Sequence, residues 1–144
     1  MINRLNSLLR GELAVVAGYQ RVLRTLRRES VHDGEQVLGL ASDHLRSVTA
    51  LQGSVQARGG APFVSADPWE DSDTALTAGD TPVRLENEVF VCALLEVERR
   101  GLADYEAILS SLDEDGRELV ELELIPRQRR HVAGLSALLL HLAA

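Results

Sequence analysis

Apolar residues recur at three- and four-residue spacing along most of this chain. Over residues 2–28, Ile2, Leu5, Leu8, Leu9, Val15, Val16, Val22, Leu23 and Leu26 fall on one stripe, and no proline interrupts them. That is the signature of an amphipathic helix. Residues 30–34 read as turn chemistry, with Asp33 expected as the N-cap of a second helix over 35–58. The second stripe is Val37, Leu40, Ala41, Val48, Leu51 and Val55, and Gly59-Gly60-Ala61-Pro62 stops it. A third helix is expected over 82–112, with Pro82 at its first position and Val91, Leu94, Leu95, Leu102, Tyr105, Leu109 and Leu112 along its stripe. Asp113-Glu114-Asp115-Gly116 turns the chain, and a fourth helix is expected over 117–142, kinked at Pro126.

The stretch 59–80 has no such period. A helix of ~25 residues is about 38 Å long, and a crossover along a bundle is the simplest use for so long a link. Trp69, the one tryptophan, is expected to pin that crossover, with a short helical turn near 69–76. Two tight hairpins joined by a long link make a single all-α domain over 1–144, a four-helix bundle.

Composition supports helices and removes several chemistries. Aromatic residues are 3% of the chain, poor material for a sheet. All 15 basic residues are arginine, so a lysine Schiff base and a phosphate-binding P-loop are excluded. The single cysteine, Cys92, excludes a disulfide framework and a cysteine zinc module. Its apolar neighbours predict a buried, inert thiol. No Gly-x-Ser-x-Gly nucleophile motif is present. No apolar run approaches the ~20 residues of a membrane span, and no secretory leader follows Met1; a cytoplasmic protein is expected. The net charge of −7 is carried by the middle of the chain, which argues against a nucleic-acid partner. Leu138, Leu139 and Leu140 put leucine on more than one face of the last helix, which points to a homodimer patch. His32 and His141 fall in a turn and at a chain end and are expected in solvent, as is Glu121.

Four polar residues interrupt the apolar seams. Glu12 lies between Leu8/Leu9 and Val15/Val16, and Tyr19 follows seven residues later; Glu98 lies between Leu94/Leu95 and Leu102, and Tyr105 follows seven residues later. His44 and His131 occupy the seams of helices 2 and 4, 32 residues after Glu12 and 33 after Glu98. The chain therefore carries two copies of Glu-x6-Tyr … His. The midpoints, 28 and 114.5, fall at the predicted turns, so each glutamate should lie within ~5 Å in height of its hairpin's histidine. Carboxylates are rarely buried without partners. One reading is a hydrogen-bonded core of Glu, His and Tyr in a metal-free structural, interaction or stress protein. The other is a metal centre, because imidazole and carboxylate are ligands for iron, zinc or manganese.

Together, Leu5-x6-Glu12-x6-Tyr19, Asp43-His44, Gly59-Gly60-Ala61-Pro62, Glu98-x6-Tyr105 and Pro126-x-Gln128-x2-His131 resemble the ferritin-like four-helix-bundle superfamily. More narrowly, they are similar to a bacterial family of small ferritin-like proteins of unknown function. The resemblance implies metal ligands at Glu12, His44, Glu98 and His131, with Tyr19, Tyr105, Gln128 and Asp43 behind them, and no organic cofactor. Di-iron members carry a Glu-x-x-His on helices 2 and 4; here Ala41 and Gln128 stand at the two glutamate places. The implied site is Glu2His2, holding one ion, and ferroxidase activity is not expected of it.

Overall fold

A computed structural model describes residues 1–65 and 83–144, the side chains of 27–29 and 83–86 aside. The expectations for Trp69, for a turn near 69–76, for Pro82 and for most of the crossover lie outside those residues. Among the described residues there are helices and no strands. Helix α1 is Ile2–Glu29, α2 is Val31–Ala57 and α3 is Val83–Ile108, extended by a 3-10 turn at Leu109–Ser111. The fourth long helix comes in three parts, Glu114–Leu119, a π-helical turn Val120–Leu124, and Ile125–Ala143; the whole is called α4 here. α1 packs along α2, α3 along α4, and α1 against α3, with α4 also touching α2. No described helix is long and apolar enough to cross a membrane.

The first hairpin is tighter than its sequence suggests. Ser30 alone separates α1 from α2, and its side chain accepts the Asp33 N–H. The N-cap is therefore Ser30, not Asp33, which lies buried in the first turn. Ser and Asp are both good caps; the three-residue offset from Ser30 to Asp33 decides between them. At its other end α2 closes with the Gly60 N–H on the Val55 carbonyl and the Gly59 N–H on that of Gln56, with Gly59 at φ 75°. This paired closure needs a left-handed residue, which glycine supplies without strain. Asn6 then holds the chain that follows, donating to the Ala61 carbonyl and accepting the Phe63 N–H.

The second hairpin starts α4 three residues earlier than expected, because Asp113 caps it by accepting the Gly116 N–H. Arg58, at the end of α2, donates to both Asp113 oxygens at 2.6 and 2.9 Å, joining the hairpins at this end. Arg58 and the Gly116 N–H hold the Asp113 carboxyl down at about 2. Pro126 is absorbed without a break. It has no N–H to give back to the preceding turn, and the ladder widens ahead of it, with the Ile125 N–H bonded to the Val120 carbonyl five residues back. A π turn is in effect a one-residue insertion and rotates everything beyond it by ~100°. Val120, Leu124, Gln128, His131 and Leu135, spaced by four, four, three and four, share one face and are all buried, while Glu121 is exposed as expected.

Apolar side chains form two clusters. One includes Leu5, Leu9, Leu51, Val55, Tyr105 and Leu124; the other includes Tyr19, Val22, Leu26, Val37, Leu95 and Leu135. Glu12, His44, Glu98, Gln128 and His131 are all buried and come from chain positions between the two clusters. They form a polar layer across the middle of the bundle. One surface expectation changes. Cys92 is exposed, not buried; Val91, Leu94 and Leu95 point inward, and the helical period turns their neighbour outward. In the 138–140 run Leu138 is buried, Leu139 half-buried and Leu140 74% exposed.

Candidate metal centre

Each helix delivers its polar residue to the middle layer from a different side. His44, Glu98 and His131 are 0% exposed and Glu12 is 5% exposed. His44 is the hub: its Nδ1 lies 2.5 Å from Glu12 Oε2 and its Nε2 lies 2.6 Å from Glu98 Oε1. The two tyrosines close the row crosswise. Tyr19 of α1 donates to Glu98 of α3 at 2.5 Å, and Tyr105 of α3 donates to Glu12 of α1. The sequence repeat thus becomes a spatial exchange, in which each copy's tyrosine serves the other copy's glutamate. Gln128 donates its amide to both the carboxylate and the main-chain carbonyl of Glu98. Gly101, one turn beyond Glu98, permits this approach: a Cβ there would sit 3.0 Å from Gln128 Nε2.

The two histidines carry different charges. Burial alone pushes the His44 imidazolium down, but hydrogen bonds to Glu12 and Glu98 outweigh it and raise its pKa from 6.5 to about 9. A ring with both nitrogens on carboxylates is a cation with two donors. Burial lowers the His131 pKa, and the neighbouring His44 charge lowers it further, so His131 is neutral. Burial also opposes the Glu98 charge, yet the His44 bond brings its pKa down on balance. Burial and the glutamate charges raise both tyrosines, so they stay phenols.

His131 stands across from this row, its ring centroid 4.2 Å from that of His44. Its Nε2 faces Asp43 Oδ2 at 3.4 Å, while its Nδ1 is buried with no hydrogen-bond partner and lies 4.0 Å from Glu98 Oε2. A buried polar atom left unpaired costs about 1–3 kcal/mol, so this nitrogen calls for a ligand. Ligand atoms of His44, Glu98 and His131 lie within 4.8 Å of one another. Two donors on one tetrahedral ion at ~2.0–2.2 Å lie about 3.3–3.6 Å apart, so binding all three would close the widest separation by up to about 1.4 Å and open the His44–Glu98 pair from its 2.6 Å.

The four polar residues meet in one layer, but only His44, Glu98 and His131 turn ligand atoms toward one another. Glu98 faces both histidines, whereas Glu12 lies against the outer nitrogen of His44, on the far side of that ring from Glu98. Asp43 stands to His131 as Glu12 does to His44. Each histidine has one nitrogen held by an outer carboxylate and the other turned to the shared Glu98. Sequence spacing alone could not separate an inner from an outer glutamate, because both lie at the same level of equivalent helices.

The chain is similar in structure to bacterioferritin from Rhodobacter capsulatus, at 17% sequence identity and a TM-score of 0.63, over 94% of this chain and 81% of that one. That protein is described with a metal-free dinuclear site and a heme iron. No family model and no curated protein matches this chain in sequence. The fold is a ferritin-like four-helix bundle.

Proposed function

We propose that this ferritin-like bundle holds one divalent metal ion, iron, zinc or manganese, between His44, Glu98 and His131. The observation that carries the reading is the unpaired buried Nδ1 of His131, facing the carboxylate that also holds His44. Two imidazoles and one carboxylate are a ligand set used for non-heme iron and for zinc. Glu12 and Asp43 orient the two rings by taking their outer nitrogens, as outer carboxylates commonly do for metal-bound histidine. Tyr19 and Gln128 fix the Glu98 carboxylate from two sides.

The His44 proton occupies the place that an ion would take. Without metal, an imidazolium between two carboxylates leaves the layer at about −1; replacing that proton by a dication brings it to zero. A second dication would leave it at +2 in a low-dielectric core, where unpaired charge is costly. Ala41 and Gln128 supply no carboxylate to balance it, so one ion is favoured over two and the chain is not assigned an enzymatic activity. A second reading has its own support: Glu12 and Glu98 are hydrogen-bonded to His44, Gln128 and the tyrosines without any ion, enough for a purely structural core.

Elemental analysis separates the two. Untagged protein stripped with chelator, then equilibrated with ferrous iron, zinc or manganese and desalted, is expected to retain about one ion per chain. His131→Ala should lose it and keep its fold. Retention of none by the native chain would leave the structural reading in place.

A further inference from the structure

Exposed apolar side chains gather on one outer face of the bundle. Along α2, Val31, Leu38 and Leu45 are 70%, 40% and 51% exposed. They recur every seven residues, a spacing that drifts only ~20° per step around a helix, so they form one stripe turned away from the core. Phe63 and Val64, both exposed, continue it beyond Leu45. The Phe63 carbonyl accepts from Gln52 of α2 and its N–H donates to Asn6 of α1, which lays this segment against the outside of the first hairpin. Single surface apolar residues are ordinary, but a contiguous run of them marks an interaction surface.

The pattern on this face says what covers it. Glu35 and Arg46 are both exposed and flank the stripe on one side, since their separation along the chain returns them to within ~20° of each other around the helix. Arg46 reaches Asp43 at 3.7 Å, beyond hydrogen-bond distance. A second copy of α2, antiparallel and related by a twofold axis, would bring the same flank of each helix together. The midpoint of Glu35 and Arg46 is 40.5, and that of Leu38 and Leu45 is 41.5. A twofold at the level of Ala41 therefore sets Glu35 against the partner's Arg46 and Leu38 against the partner's Leu45, each within about 1.5 Å in height. The same operation sets Val31 level with the partner's Gln52, beside the partner's Phe63. Charged and apolar pairs thus choose one register independently, and the face is complementary to itself, as a twofold interface requires.

We propose that the outer face of α2 is the docking surface for a second copy of this chain, antiparallel about a twofold near Ala41, with Val31, Leu38 and Leu45 at its centre and Glu35–Arg46 pairs at its edge. Sedimentation velocity of the full chain over a range of concentrations is expected to show a dimer. Leu38→Glu/Leu45→Glu changes two exposed side chains, so it should keep its helical circular dichroism and sediment as a monomer. Glu35→Arg and Arg46→Glu should each weaken association about fivefold or more, because the twofold counts the lost pair twice; the double variant Glu35→Arg/Arg46→Glu should recover it. Leu140→Glu, on α4, should leave the dimer unchanged. A native chain that is monomeric at every concentration, a dimer that survives Leu38→Glu/Leu45→Glu, or a double charge reversal that fails to recover would overturn the proposal. A dimer lost in Leu140→Glu would place the interface on α4 and overturn it equally.

Discussion

Replacing His44 by leucine removes the one cation between two buried carboxylates. Two routes give its cost in the metal-free protein. Breaking a buried ion pair by deleting one partner costs about 3–5 kcal/mol. The raised His44 pKa, about 9 against an ordinary 6.5, is worth roughly 3 kcal/mol at 1.36 kcal/mol for each pKa unit. The agreement supports an expected loss of about 3 kcal/mol at pH 7, large against the 5–15 kcal/mol of a typical domain. The sign follows from a pKa raised on folding: the stabilisation is complete below pH 6.5 and is lost as pH climbs through 9. The window up to about pH 9 is free of lysine; nearer pH 10 the two tyrosines, pushed upward on folding, add a smaller loss of the same sign in both proteins. The assay is urea unfolding in chelator at half-unit steps from pH 6 to 10. The native chain should lose about 3 kcal/mol across that range, and His44→Leu should start lower and stay nearly flat. A loss under about 1 kcal/mol at pH 7 with an unchanged pH profile would refute the charged-hub account.

Other consequences follow from the same geometry. Metal uptake must displace the His44 proton, so zinc binding at pH 7 should release about one proton per ion, measured by calorimetry in buffers of different ionisation enthalpy, and affinity should rise toward pH 9. Asp113→Ala removes a helix cap and the partner of Arg58 and should cost about 0.5–2 kcal/mol in urea unfolding. The depressed Asp113 pKa makes its contribution present above pH 3.8 and lost as pH falls toward 2. Gly11→Ala, whose Cβ meets nothing within 4 Å, should stabilise by up to about 1 kcal/mol, whereas Gly101→Ala, which presses on Gln128, should gain nothing in the same melt. Ala41→Glu with Gln128→Glu should raise iron stoichiometry from one toward two and create oxygen-dependent iron oxidation in stopped flow; rapid oxidation by the native chain would contradict the charge count.

Much of this architecture was legible because it is periodic. The stripes of α1 to α4, the Gly59-Gly60 stop and the Glu-x6-Tyr repeat locate the helices and bring Glu12, His44, Glu98 and His131 to one level. What stayed hidden depends on single atoms or on phase. Ser30 and Asp33 are equally good caps on paper, and only the closure of the hairpin chooses Ser30. The kink expected from Pro126 names the place but not the device: a π turn at 120–124 widens the ladder just ahead of the missing N–H. Cys92 sits among apolar neighbours along the chain, yet the helical period turns it outward. Which nitrogen of His44 meets which glutamate cannot be read from spacing, and that detail separates Glu98 from Glu12.

The central claim is that one ion sits between His44, Glu98 and His131. Crystals grown with zinc and measured on both sides of the zinc edge test it most directly. The account predicts one anomalous peak inside the bundle, bonded to His44 Nε2, His131 Nδ1 and a Glu98 oxygen at ~2.0–2.2 Å, with Glu12 still on His44 Nδ1. An interior without a peak, or a peak bonded to Glu12 in place of Glu98, would contradict it.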